Sequence, residues 1–263
     1  MDKIAVVTGA SGGIGRETAR ILREKGCVVY DLSRSDQPQD GITHIPCDVT
    51  DEGSVKAAVD AVIEKSGGID ILVCCAGMGI SGAVEFTDPK DSYRQMDVNL
   101  FGTDRVVRAV LPHMRRRRSG RLVMTSSVAG VTPIPFQTWY SASKAAIISY
   151  AMALYNEVRP YGIKVAVVMP GDIKTGFTAA RKKSAAGNDE YAGRIERSVS
   201  KMEKDEQNGL SPAYAGRILA KAALSKRPKL LCSTGAVYSL LCTLVKLLPT
   251  RLAQWVLYRL YAK

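Results

Sequence analysis

The stretch "VVTGASGGIGRE", residues 6–17, decides how the rest of the chain is read. A β-branched apolar run stops at Thr8, and Gly9, Gly12, Gly13 and Gly15 lead into a segment of helical pattern near Ile14. Glycines let a main chain turn tightly and approach a pyrophosphate. The first turn of the helix then offers unpaired N–H groups at the positive end of its dipole. The spacing is Gly-x3-Gly-x-Gly rather than GxGxxG, and the turn lacks the lysine of an NTPase phosphate loop. Taken alone, it leaves a nucleotide site and a bare strand-to-helix turn equally open.

The same alternation runs outward to residue 233. A helix over about 14–25 precedes "CVVYDLS"; "ITHIPCDV" precedes a helix over about 52–65 and then "IDILVCCAG". A long helix through 99–114 leads to "GRLVMTSS", a helix over about 140–158 to "IKVAVVMPG", and a helix near 212–224 to "PKLLCS". Apolar runs bounded by Gly or Asp mark parallel strands buried on both faces, and repeated βα alternation means a doubly wound, Rossmann-type α/β sheet. No repeat or linker divides it, so residues 1–235 are expected to form one domain. Within it, residues 176–210 are rich in Lys, Ala, Ser, Asp and Glu, and read as a mobile excursion in the position of a lid. Residues 236–263 form an apolar extension.

An apolar share of 46% over 263 residues suits one large globular domain. "MDK" runs straight into "IAVV" with no room for a signal peptide, so a cytoplasmic chain is expected. Cys27, Cys47, Cys74, Cys75, Cys232 and Cys242 form no CxxC pair, and only His44 and His113 could join them. Reduced, mostly buried thiols are therefore expected, and no metal site. The net charge is +12, and residues 207–263 hold nine Lys or Arg with no Asp or Glu. That basic quarter could attract phosphorylated cofactors or anionic lipid. Arg115, Arg116, Arg117 and Arg118 end a helical segment, where cations complement the dipole, so no nucleic-acid partner is expected.

A second constellation is "YSASK", which puts Tyr140 and Lys144 one turn apart on a helix, thirteen residues after the "TSS" that ends at Ser127. A phenol transfers protons at neutral pH only when its anion is stabilised, and a neighbouring ammonium does that. The serine hydroxyl can hydrogen-bond the reacting oxygen. With "TGASGGIG", "CDV", "CCAG", "VNLFG" and "PGDIKT" in order, residues 3–230 resemble the short-chain dehydrogenase/reductase family.

The resemblance implies that Tyr140 is the general acid in ketone reduction, Lys144 lowers its pKa and holds the nicotinamide ribose, and Ser127 orients the carbonyl. Asn99 would hold the water of a proton relay. Gly9, Ser11, Gly13, Ile14 and Gly15 would surround the pyrophosphate and adenosine ribose, and Asp48 and Val49 would contact adenine. Ile173 and Thr175 would meet the nicotinamide half. In "CCAG" the cysteines stand where the family usually writes two asparagines; Cys75 would lie near the adenosine ribose through its main chain. How the strand end is braced is then open. Homodimers or homotetramers, built through the helices carrying Asn99 and Tyr140, are the family habit.

An NAD enzyme usually ends its second strand with a carboxylate for the ribose 2′-hydroxyl. Aligned on the family, "VVYDLSRS" puts Ser33 and Arg34 there, not Asp31, which suits the 2′-phosphate of NADP(H). After Ser127, Val131, Ile134, Pro135, Phe136 and Trp139 promise an apolar substrate wall. Arg181, Lys182 and Lys183 read either as solvated lid charges or as contacts to an anionic group. Pro249 splits the extension into two candidate helices, the second capped by Thr250 and carrying Leu252, Trp255, Val256 and Leu260 at helical spacing. Three placements are open: docked as core, closed over the pocket, or lying on a membrane surface as peripheral contact. Similar extensions occur in steroid-, retinoid- and lipid-ketone-reducing members, which implies a hydrophobic ketone or alcohol as substrate. A 3-oxoacyl (acyl-carrier-protein) thioester reductase is the alternative, and a non-catalytic NADP-binding sensor the alternative of another class.

Overall fold

The computed structural model describes residues 2–263. Seven parallel strands form one sheet in the order β3-β2-β1-β4-β6-β7-β9. They are β1 (Ile4–Thr8), β2 (Val28–Ser33), β3 (Ile42–Pro46), β4 (Ile71–Cys74), β6 (Gly120–Thr125), β7 (Ile163–Met169) and β9 (Leu231–Ser233). The order reverses between β1 and β4, and the crevice beyond their carboxyl ends is where doubly wound sheets bind ligands. Successive side chains of a strand serve opposite faces. Val6, Leu72 and Leu122 pack under α2 (Glu52–Ser66), α4 (Gly102–Arg117) and α5 (Thr138–Val158), while Ala5, Val7 and Val73 pack under α1 (Gly13–Glu24) and α8 (Pro212–Leu224). That double burial is why the strands read as continuous apolar runs.

The long helix expected through 99–114 is present, extends to both sides, and contains a π-turn. α3 (Pro89–Met96) passes into a π-helical turn (Asp97–Phe101) before α4 starts. Arg118 closes α4 with a left-handed φ of 49°, the basic helix end the sequence predicted.

The segment 176–210 is packed rather than loose. α6 (Phe177–Ala180) is followed by β8 (Lys182–Lys183), which pairs with β5 (Ile80–Ser81), and then by α7 (Arg194–Gln207). Ile195, Val199 and Met202 bury one face of α7 against Ala83, Ile134, Phe136 and Tyr191. Its cations are also engaged: Lys182 pairs with Asp91, Lys183 with Glu203, and Arg181, 4% exposed, with Glu206. Arg181 is thus not a solvated lid charge, because the excursion folds back and supplies a carboxylate to it.

The extension docks on the fold as α9 (Ala236–Leu247) and α10 (Thr250–Tyr261). Cys242 and Tyr238 of α9 join the main core, and Ala253, Leu257 and Tyr261 turn α10 toward α7. Leu252, Trp255, Val256 and Leu260 instead face outward, each at least 39% exposed. The spacing found a helical face, but small Ala253 permits the close approach and so decides which face turns inward. Thr250 is the first helical residue rather than a cap. No helix among the described residues is long and apolar enough to cross a membrane.

Candidate active site

The glycine turn has the geometry expected of it. Gly9 has φ +68°, and a Cβ there would lie 2.9 Å from the main chain of Ala76; a Cβ at Gly15 would collide with the Gly9 carbonyl. Gly12 caps α1 without a side chain and no acidic residue occupies the first turn, so the first N–H groups open onto a cavity of about 1120 Å³. Ser11, Gly13 and Ile14 line one side of it, Thr175 the other, and a Cβ on Gly13 would stand 3.6 Å from Thr175. A dinucleotide pyrophosphate fits this groove, which offers N–H groups, a helix dipole and no competing anion.

Two side chains brace the turn. Thr8 Oγ1 accepts from the N–H groups of both Cys75 and Ala76 at 3.1 Å, which supplies the strand-end bracing that the two cysteines cannot. Asp31, 1% exposed, accepts the Ala10 N–H on Oδ1 at 2.9 Å, and its Oδ2 accepts from Ser33 Oγ at 2.8 Å and lies 3.2 Å from His44 Nδ1. Both carboxylate oxygens are engaged, and the residue lies outside the cavity lining. Ser33, Arg34, Asp48 and Val49 do line it. The Thr50 N–H bonded to Asp48 holds that carboxyl below its usual range, with Arg34 and Arg94 adding to the effect.

Six free thiols are present, with no metal-binding cluster among the described residues. Burial pushes the Cys75 thiol up to about 11 and the Cys74 thiol further still. Cys75 reaches Thr125 Oγ1 at 3.3 Å and lines the cavity, while Cys74 is core. Neither is a thiolate at neutral pH.

At the other end, Ser127 caps a short turn by accepting the Ala129 N–H at 3.1 Å, and it lines the cavity together with Tyr140. α5 carries Tyr140 and Lys144; Lys144 Nζ donates to the Thr125 carbonyl at 3.0 Å and lies 5.7 Å from the Tyr140 ring centre. Burial pushes the Tyr140 phenol up to about 12, partly offset by Ser127 and by Arg181. Burial also pulls the Lys144 ammonium down to about 8. Among the charged neighbours, Arg181 lowers the phenol while Glu206 and Asp172 raise it.

Asn99 sits in the π-turn, fully buried. Its Oδ1 accepts the Met78 N–H at 2.8 Å, and Nδ2 donates to the Met78 carbonyl and to Ser143 Oγ, both at 3.0 Å. Alone among the expected site residues it lies behind the cavity wall; Gly9, Gly15, Ile173 and the others line it. Of the expected substrate wall only Ile134 reaches the cavity, since Phe136 turns away to stack edge-on against Tyr191 at 5.7 Å. Gln137, Asp172, Phe177, Met202, Glu206 and Tyr261 take those places. Asp172 was visible inside "PGDIKT"; Glu206 and Tyr261 carried no local signal at all.

The fold and this grouping of Ser, Tyr and Lys beside a dinucleotide cradle define a class, and a family comparison agrees: residues 3–186 match the short chain dehydrogenase model. The chain belongs to that family, oxidoreductases acting on keto and alcohol groups. Over 99% of its length it is 40% identical to 3-ketodihydrosphingosine reductase of Bacteroides thetaiotaomicron, covering 98% of that protein. It is 31% identical to dehydrogenase/reductase SDR family member 7B of Bos taurus, over 86% of this chain and 71% of that one. Among solved structures, a short-chain dehydrogenase from Streptomyces avermitilis superposes with a TM-score of 0.86 at 29% identity, over 97% of this chain and 96% of that one.

Proposed function

We propose that this protein is an NADP(H)-dependent reductase of a long-chain lipid ketone of the 3-ketodihydrosphingosine type. The observation that carries this reading is the 40% identity to such a reductase over 99% of the chain, tail included. Bound cofactor supplies the hydride; the protein supplies position and a proton. Ser127 holds the carbonyl oxygen, and Tyr140, neutral at pH 7 because burial raises it to about 12, donates the proton to that oxygen. Lys144, at about 8, is mostly protonated at pH 7, so it can stabilise the developing phenolate and hold the ribose hydroxyls. The Asn99 amide is engaged, so its main-chain carbonyl, which also accepts from Thr103 Oγ1, is the group left to hold a relay water. π-turns recur at such functional points.

Phosphorylated cofactor is favoured because Asp31 is engaged away from the cavity while exposed Arg34 stands at its rim. A long apolar substrate accords with the outer face of the extension. Leu240, Leu244, Leu247, Trp255 and Leu260 are exposed there beside Lys246, Arg251, Arg259 and Lys263, with no acidic residue. Such a face suits an anionic bilayer surface. Exposed Phe101 and Met152, near Asn99 and on α5, suit self-association through those helices.

NADPH oxidation is to be followed with 3-ketodihydrosphingosine, a 3-oxoacyl thioester and a steroid ketone. Turnover highest with the first supports the reading, and preference for either other substrate overturns it. Flotation with anionic vesicles, weakened by Trp255→Glu, tests the membrane part; flotation unaffected by that change removes it.

A further inference from the structure

The catalytic end of the cavity holds a negative charge that reduction of a simple ketone does not need. Asp172, just beyond β7, lines the same cavity as Tyr140 and is near enough to act on its phenol. One side chain fixes it. The Tyr238 hydroxyl, from α9, donates to Asp172 Oδ2 at 2.8 Å and accepts the Asp172 N–H at 3.0 Å. The ring reaches this position because Gly171 has no side chain; a Cβ there would run into it. Oδ1 has no hydrogen-bond partner among the described residues, and Lys201, whose charge acts on Asp172, is paired with Asp205 at 3.3 Å.

The neighbouring Glu206 differs. Arg181 neutralises it, and it accepts the Thr178 hydroxyl. Thr178 and Arg181 are both buried, so the Glu206 carboxylate is neutralised from within the lid. Asp172 lines the cavity with no salt-bridge partner among the described residues; burial pushes its carboxyl up, with Asp205 and Glu206 adding to the rise and Tyr238 and Lys201 opposing it. A partly buried carboxylate in that state is costly until a cation reaches it.

We propose that Asp172 is an ammonium subsite, receiving a protonated primary amine on the carbon next to the reacting carbonyl. The enzyme then selects long-chain 2-amino ketones over ketones of equal length without the amine. This rests on the lipid-ketone reading above, since a ketone of the 3-ketodihydrosphingosine type carries such an amine. The tail thereby takes part in specificity: α9 anchors the carboxylate and α10 contributes Tyr261 to the cavity wall.

The test compares two 3-ketones of one chain length, one with the 2-amine and one without, in NADPH oxidation by the full chain and by Asp172→Asn. Wild type is expected to favour the amine in kcat/KM by roughly tenfold or more, as for a hydrogen bond to a charged group. Asp172→Asn should bring that ratio close to one, and Tyr238→Phe should place it between. A wild-type ratio near one, or a ratio that Asp172→Asn leaves unchanged, overturns the proposal while the lipid-ketone reading stands. Should Asp172→Asn fail to bind NADPH in a fluorescence titration, competition on the wild-type enzyme decides: a long-chain amine that inhibits no better than the alcohol of equal length overturns it. Turnover of neither ketone, with other carbonyl substrates still reduced, overturns the lipid-ketone reading itself.

Discussion

At one end of the cavity Gly9, Gly13 and Ile14 present main chain from a single turn; at the other, Asp172, Met202 and Tyr261 present side chains from three separate elements. The first end recognises groups common to every dinucleotide, so N–H groups, a helix dipole and room for a backbone suffice. The second must recognise one substrate among many, and it is assembled from β7, the lid and the tail. Even the charges are handled differently. Asp31, near the cofactor end, has both oxygens engaged by its own fold, whereas Asp172, at the substrate end, keeps one oxygen free. A shared function is written in the backbone, and a particular one in side chains that long-range packing brings together.

The contrast can be broken most sharply at the junction of the two ends. Tyr140→Phe should lower kcat by about a thousandfold, the usual scale of a lost general acid, while the NADPH dissociation constant from fluorescence titration changes little. Ketone reduction that survives this change would remove the mechanism. Next in size is Arg34→Ala, expected to reduce kcat/KM for NADPH by roughly ten- to a hundredfold and leave NADH use unaltered. A variant that prefers NADPH as strongly as before would show that the 2′-phosphate is bound elsewhere.

Smaller effects concern stability. Gly15→Ala puts a methyl group against the Gly9 carbonyl and should cost about 1–3 kcal/mol, a thermal shift of several degrees downward. Lys144→Met should do the reverse at pH 7. Its folded pKa of about 8 lies below the ordinary lysine value near 10.5, so the unfolded chain binds the proton more tightly. That cost is present in full below about pH 8 and fades as pH rises toward 10.5. The variant should therefore melt a few degrees higher at pH 7, with the advantage gone above pH 10.5, while losing activity. Equal melting of both proteins across that range would show that the ammonium is not strained. Smallest is Tyr238→Phe, expected to raise KM for the lipid ketone severalfold with kcat nearly kept; a fall in kcat alone would mean that the tail acts on the chemistry rather than on binding.

How much was legible follows the same division. Tyr140, Lys144, Ser127 and the glycine turn were readable because each is fixed by spacing within one element or one turn, and their grouping follows from the strand order. Thr8 and Asp31 were in view, but their roles were not, since both depend on partners 21 or more residues away. The substrate wall was misplaced because Phe136 takes a φ of 60° and turns into the lid core, a choice that only Tyr191 and α7 make favourable. The direction of the α10 stripe stayed open among three placements for a related reason: periodicity finds a face, and packing decides which way it points.

The sequence by itself determined the doubly wound sheet, the dinucleotide cradle and the Ser-Tyr-Lys grouping, because local spacing and strand periodicity suffice for them. Only the tertiary structure decided that Arg181 is buried against Glu206, that the tail is split between a docked face and an exposed one, and that Tyr238 ties Asp172 beside the reacting centre. The physical reason is sequence separation. The Tyr238–Asp172 bond joins residues 66 apart, and no local preference of either residue specifies that they meet.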